Sequence, residues 1–435
     1  MDSVLLSRLQ FGATASFHII FPSLIIGLAL YLAAMELCWL RSGDARYRAQ
    51  YQFWLRPFAA VFVLGALTGV VLSYQLDTVF GGLYRMTRPV LVPVRNAEFL
   101  STMLIGVGCF GVMVGGWRRA GAALHCAATL LLAAGVLVST MCILVRNSWM
   151  QTPVGAVLVD GQLRPTGGVL DMLLSPSLPY RFVHVVGGAC LSTAFFILGI
   201  AAWYLLRRRH LAFAEHSFRL AMGVVCVAAP LQILSGDLHG LNTLRYQPVK
   251  IAAIEGLWDS RRAAPMVLAA VPQPERERNA HALEIPALAS LILTHQRDGR
   301  LAGLKAFPPD QRPNVPLVFY SFRVMVGCGL LMLLPPLLWL GVLRRRLPHS
   351  PWFLRGCCAM LPSGLISTIA GWCVTEEGRQ PWAIFGLVRT MDIVEPAGAA
   401  HTGHLIVMLG LAYAAIAALC LVLLARMVRR GPRAA

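Results

Sequence analysis

Five residues of this chain are of types that bind iron or carry protons in apolar surroundings: His18, Glu98, His184, Met325 and Glu376. Each lies near the end of a different apolar segment. Imidazole and thioether are axial ligands of haem iron. A carboxylate at the edge of a membrane span is costly, and such residues tend to be functional. Taken singly, each has a plainer role. A lone histidine at a helix end is more often hydrogen-bonded than metal-bound, and a methionine on an apolar helix is most often core filler. A common depth raises all five above those roles, although His401 and His404 share it. One buried layer of haem-type ligands is the economical reading.

The elements that must position them are membrane spans. With 57% hydrophobic and 13% charged residues among 435 and a mean hydropathy of +0.65, the chain is too apolar for a water-soluble globule. A span needs about 20 mostly apolar residues. Nine segments qualify, at 14–40, 52–76, 97–116, 120–146, 182–206, 218–236, 318–343, 353–375 and 402–426. The fold class expected is therefore an all-α integral membrane protein of about nine transmembrane helices. No basic region precedes the first apolar run and no small-residue cleavage site follows it, so that run reads as a retained helix.

The net charge of +18 is arranged for topology and not for nucleic acid. Arg41, Arg46 and Arg48, then Arg118 and Arg119, then Arg207 to Arg209, then Arg344 to Arg346, then Arg426 to Arg433 fall in every second short loop and the tail. By the positive-inside rule these are cytoplasmic. The N-terminus is then outside and the C-terminus inside, and all five candidate residues come within one or two turns of the outer face. Eleven cysteines sit in or at the ends of apolar spans without any CxxC pair, as small core residues do. The chain divides into helices one to six (1–236), a long external connector (237–317) and helices seven to nine (318–435). Connectors of that length are usually functional.

Local sequence is more specific than spacing. Arg8-Leu-Gln-Phe-Gly-Ala-Thr-Ala-Ser-Phe-His18, Asn147-Ser-Trp-Met-Gln-Thr-Pro153, Arg181-Phe-Val-His184 and Gly236-Asp-Leu-His-Gly240 resemble segments of the large subunit of cytochrome bd-type quinol oxidases. So do Lys250-Ile-Ala-Ala-Ile-Glu-Gly-Leu-Trp258, Phe322-Arg-Val-Met325 and Gly371-Trp-Cys-Val-Thr-Glu-Glu-Gly-Arg-Gln-Pro-Trp382. The resemblance runs in order from residue 8 to about 385, and its Gly-Arg-Gln-Pro-Trp element is highly specific.

That resemblance implies roles. His184 and Met325 match the axial pair of a low-spin haem b, with Arg323 near a haem propionate. His18 and Glu376 match the axial ligands of two further haems, a high-spin haem b and a haem d or third haem b. Which ligand holds which macrocycle stays open. Glu98 matches a carboxylate at the ligand or proton-delivery position beside the oxygen-reducing haem, and Trp372 and Arg379 line the same pocket. Lys250 and Glu255 match residues tied to quinol oxidation; without the match they would read as a helical pair in a solvated loop. The resemblance further implies reduction of O2 to water with electrons from ubiquinol or menaquinol. Quinol protons are released outside and substrate protons are taken from inside, which conserves energy without pumping. It places the chain in a bacterial inner membrane with subunit II of the oxidase as a separate partner and room for small single-helix subunits.

The chain also departs from the pattern. Eight residues after Glu98 the family has a second glutamate, and here the position is Gly106. The stretch Arg88 to Ala97 is unlike the usual apolar approach, so hydroxyls such as Ser101 and Thr102 become candidates for proton transfer. The connector lacks a long C-terminal extension and is of the short quinol-loop type, and Gly236-Asp-Leu-His-Gly240 resembles the cyanide-insensitive branch. Two other function classes remain in view: a haem-bearing electron-transfer or redox-sensing protein, which Gly106 would suit, and an ion-coupled transporter using Glu98 and Glu376. The paired half-repeats common in transporters are absent from the sequence.

Overall fold

A computed structural model describes residues 3–432 apart from 117–118, 169, 171–172, 342–349 and 395–398. Arg118, Arg344 to Arg346 and Arg433, expected on the cytoplasmic side, lie outside the described residues. With no water in a bilayer core to satisfy backbone groups, apolar segments of this length close their hydrogen bonds as helices. In chain order these are α1 (Ser3–His18), α2 (Ile20–Ser42), α3 (Ala45–Val79), α4 (Gly81–Leu100), α5 (Gly108–Gly115) and α6 (Ala122–Gln151). After them come α7 (Leu178–Leu206), α8 (Leu211–Tyr246), α9 (Pro248–Glu255), α10 (Leu288–Thr294), α11 (Val315–Met332) and α12 (Leu334–Leu340). The last three are α13 (Pro351–Ala359), α14 (Ser363–Glu377) and α15 (Ala399–Arg430).

Among the described residues, eight stretches are long and apolar enough to cross a membrane: Leu5–Ser42, Ala45–Val79, Ala122–Gln151, Leu178–Leu206, Leu211–Tyr246, Val315–Leu340, Pro351–Glu377 and His404–Arg430. They coincide with eight of the nine expected spans. The segment expected at 97–116 is built differently. There α4 passes into a π-helical stretch, Ser101–Val107, and then α5. A π segment turns the residues on either side of it out of α-helical register and frequently marks a functional site.

Local chemistry fixes the turns. Gly43, at φ 68°, ends α2 with its N–H on the Trp39 carbonyl at 2.8 Å, the left-handed stop that favours glycine. Asp44 then caps α3 by accepting from Arg46 N at 2.9 Å. Asn314 caps α11 through Leu317 N, with Pro316 in the first turn. The connector is more ordered than its length suggests. α8 runs to Tyr246, past the expected boundary at 236, and the next segment forms α9 and two antiparallel pairs. These are β1 (Arg261–Arg262) with β4 (Arg300–Leu301), and β2 (Met266–Gln273) with β3 (Arg278–Ile285).

The main core is aromatic. Tyr51, Phe53, Trp54 and Phe58 of α3 meet Phe195 and Tyr204 of α7 and Phe218 of α8, all essentially inaccessible. Helices α2 and α7 pack on each other and on α3, α6, α8, α13 and α14, while α15 lies outside, against α1 and α3. The eleven cysteines are free thiols, two of them buried and the rest half-buried.

Candidate haem and quinol site

The two histidines are held by the same device. His18, the last residue of α1, places Nδ1 2.9 Å from Thr68 Oγ1 on α3. That hydroxyl spends its own proton on the Leu64 carbonyl at 2.9 Å, so it accepts from the imidazole. His184 places Nδ1 3.1 Å from Ser235 Oγ on α8, and Ser235 donates to the Gln232 carbonyl at 3.0 Å. In His18 the Nδ1 proton is used and the Nε2 lone pair is left for a metal, the usual way an outer hydrogen bond fixes the ligating nitrogen; at His184 the Gln232 amide nitrogen also approaches the ring, 3.2 Å from Nδ1 and 3.4 Å from Nε2. Each hydroxyl is followed by a glycine that makes room for the ring. A Cβ at Gly69 would come 3.3 Å from His18 Cε1, and one at Gly236 would come 3.2 Å from His184 Cε1. His239 lies one turn beyond, its ring 5.7 Å from that of His184.

Met325 is placed by a third glycine. It lies on α11, where Ser367 Oγ of α14 donates to its carbonyl at 3.1 Å, and a Cβ at Gly371 would sit 2.9 Å from Sδ. Trp372, the next residue, packs in one cluster with Phe182 and Val185, which neighbour His184 in sequence, and with Val94 and Leu144. Helices α7, α8, α11 and α14 pack on one another, so His184 and Met325 belong to one four-helix group.

Glu376 ends α14 in a polar cluster. Asn147 Nδ2 of α6 donates to its Oε1 at 2.7 Å, and Arg379 pairs with its Oε2 at 2.7 Å. Asn147 Oδ1 accepts from buried Arg181 at 3.3 Å. Glu98, on α4, pairs with Arg146 of α6 at 2.6 Å. Several guanidinium nitrogens here are buried without a partner, namely Arg146 Nε, Arg181 Nε, Arg323 Nε and Arg379 Nε and Nη1. Buried donors left over in this way suit anionic groups such as propionates. With three glycine-shaped clearances and two oriented imidazoles, the residues present fit haem groups.

Lys250 and Glu255 are not a solvated pair. Both are buried on α9. Five positions apart on a helix, they face different neighbours. Lys250 Nζ donates to Gln151 Oε1 at 2.7 Å and the Thr375 carbonyl at 3.1 Å. Its stem lies against Gly378, where a Cβ would meet Cγ at 2.8 Å. Burial pushes the Lys250 ammonium pKa well below its ordinary value; Arg181 and Arg379 push the same way, against the pull of Glu376. Glu255 has one carboxylate oxygen unpartnered. Burial raises its pKa to about 7, with Arg323 acting in the opposite direction. Arg323 donates to the Ile254 carbonyl, and to the Val267 carbonyl at 2.5 Å. It therefore ties the connector to the helix that carries Met325. Gln151 also lines a cavity of about 340 Å³ with Tyr246, Phe385 and Leu387, within the size range of small-ligand sites.

The structure thus gathers Glu376, Arg379 and Lys250 in one cluster and brings Arg323 to the Ile254 carbonyl next to Glu255. Sequence reasoning missed the partners: Thr68, Ser235, Arg146, Gln151 and the clearance at Gly371. A hydroxyl residue directly before a glycine in an apolar helix was the available signal for two of them.

The whole chain has relatives. Residues 6–432 match the model of the family described as cytochrome bd terminal oxidase subunit I. The chain is 32% identical over 452 residues to the cytochrome bd ubiquinol oxidase subunit 1 of Bacillus subtilis (strain 168), covering 99% of this chain and 94% of that protein. It is 32% identical over 470 residues to the cytochrome bd-II ubiquinol oxidase subunit 1 of Escherichia coli (strain K12), covering 89% of each. The bd oxidase structure from Geobacillus thermodenitrificans superposes with a TM-score of 0.92 at 28% identity, covering 99% of both chains. The chain therefore belongs to the cytochrome bd terminal oxidase subunit I family.

Proposed function

We propose that this chain is the haem-bearing subunit of a quinol:oxygen oxidoreductase of the bacterial cytoplasmic membrane, with ubiquinol or menaquinol as electron donor and O2 as acceptor. His184 and Met325 would hold a low-spin haem b. His18 and Glu376 would hold a high-spin haem b and a haem d or third haem b, with Glu98 beside the oxygen-reducing haem. The haems supply electron transfer and oxygen chemistry, and His/Met ligation favours a raised potential for the one that accepts from quinol. A second chain, subunit II, completes the assembly.

The protein's own work is binding and proton handling. A quinol oxidised at the outer face must lose two protons. Glu255, buried with a free carboxylate oxygen and a pKa near neutrality, suits the acceptor role because a general base works best near the operating pH. Lys250, fastened to Gln151 and Thr375, links the connector to the end of α14. Protons released outside and consumed from inside conserve energy with no pump.

The repeated geometry of the histidines supports this reading: a hydroxyl on Nδ1 and a glycine against the ring, once on α1 and α3 and again on α7 and α8. Met325→Leu tests it. The substitution should remove the low-spin b absorbance while features of the oxygen site remain; an unchanged spectrum rules out Met325 as a ligand.

A further inference from the structure

Two site carboxylates approach α6 at the same depth. Glu98 from α4 meets Arg146 at 2.6 Å, and Glu376 from α14 meets Asn147 at 2.7 Å. Arg146 and Asn147 are chain neighbours, so their Cα atoms are about 3.8 Å apart and their side chains leave the helix about 100° apart. One helical step thus fixes where both carboxylates stand. Glu376 carries a guanidinium of its own, Arg379. Arg146 gives Glu98 the same complement, and both side chains of that second pair are only about one-fifth exposed.

The surroundings explain why Glu98 needs it. Residues 99–116 contain no acidic side chain, so no second carboxylate follows Glu98 in its own segment. At Gly106 a Cβ would already touch the Phe62 ring at 3.4 Å, so that position faces an aromatic wall. An unpaired carboxylate at a span edge is expensive, and a guanidinium at hydrogen-bonding distance offsets that cost. The π-helical stretch that starts at Ser101 follows Glu98 directly and packs on α6.

We propose that Arg146 is a positioning residue of the oxygen-reducing site: it holds the Glu98 side chain in place and, with Asn147, sets the separation of Glu98 from Glu376. The inference rests on the oxidase reading above. On this account the contribution of Glu98 depends on its placement and is lost when Arg146 is lost.

The test uses the full oxidase complex in membranes, with the variants Arg146→Met, Arg146→Lys, Glu98→Gln and the double variant Arg146→Met/Glu98→Gln. Quinol-driven oxygen uptake and the reduced-minus-oxidised spectrum are both read. Arg146→Met should lower uptake by about tenfold or more, the scale of breaking a shielded ion pair. It should also alter the high-spin haem bands and leave the low-spin band at full height. Arg146→Lys should keep uptake within about threefold of wild type, since the charge remains. The double variant should be no worse than the worse single one. Losses that multiply in the double variant overturn the inference, as does Arg146→Met with wild-type uptake and spectrum. Should Arg146→Met not assemble, Arg146→Lys decides: a tenfold loss there overturns it and retention supports it. A wild-type complex without quinol-driven uptake sinks the oxidase reading instead, which is a separate outcome.

Discussion

Gly371 gives the sharpest handle on the proposed His184–Met325 ligation. A Cβ at this position would lie 2.9 Å from Met325 Sδ, whereas ordinary contact begins at 3.4 Å. In Gly371→Ala the sulfur must therefore withdraw by at least 3.4 − 2.9 = 0.5 Å. Inserting a methyl into a packed interior costs about 1–3 kcal/mol, which corresponds to a shift of roughly 5- to 150-fold between two arrangements of one side chain. Ser367 fastens the Met325 backbone to α14, so the side chain itself must swing to make room. The Met-ligated population should fall by that factor. A dithionite-reduced spectrum of purified complex should show the low-spin b band diminished, and a redox titration should show its midpoint lowered. Gly371→Ser, which places a Cβ at the same point, should behave alike. A full-height low-spin band with an unshifted midpoint in Gly371→Ala would refute the placement of Met325 on iron.

Further tests use other clearances and partners. Ser235→Ala should weaken the low-spin haem alone and Thr68→Ala a high-spin haem alone, each by about tenfold in haem retention, as loss of an outer-shell bond does; the same band lost in both would contradict the separate placements. Glu255→Ala should abolish quinol-driven turnover and leave dithionite reduction of the haems intact. In the wild type the base must be ionised, so quinol-driven turnover should decline as pH falls below about 7; a rate that is flat through that range removes Glu255 as the acceptor. Lys250→Met removes the ammonium held by Gln151 and the Thr375 carbonyl and should raise the quinol KM more than it lowers kcat. An unchanged KM would show that Lys250 has no part in binding.

Most of the architecture is legible in the chain because a bilayer leaves apolar segments one solution, the helix. Eight expected spans match long apolar helical stretches for that reason. The stretch around Glu98 is different. Arg85, Arg88 and Arg95 interrupt its apolar run, so length and hydropathy do not show the passage from α4 through a π turn into α5. Ligand types at the site are legible because His, Met and Glu stand out against apolar helices. Their partners are not, since Thr68, Ser235 and Asn147 look like ordinary polar residues until helices distant in sequence bring them to the rings and carboxylates. Lys250 and Glu255 show the opposite limit. A charged pair in a long connector reads as solvated, and only packing of α9 against α8 and α11 buries it.

The most direct measurement is a dithionite-reduced minus air-oxidised visible spectrum of membranes carrying this chain with its partner subunit, paired with quinol-driven oxygen uptake. Low-spin and high-spin haem bands together with uptake are the expected result, a far-red chlorin band marking haem d in the third position. Haem b bands without uptake would contradict the oxidase reading and favour an electron-transfer or sensing role.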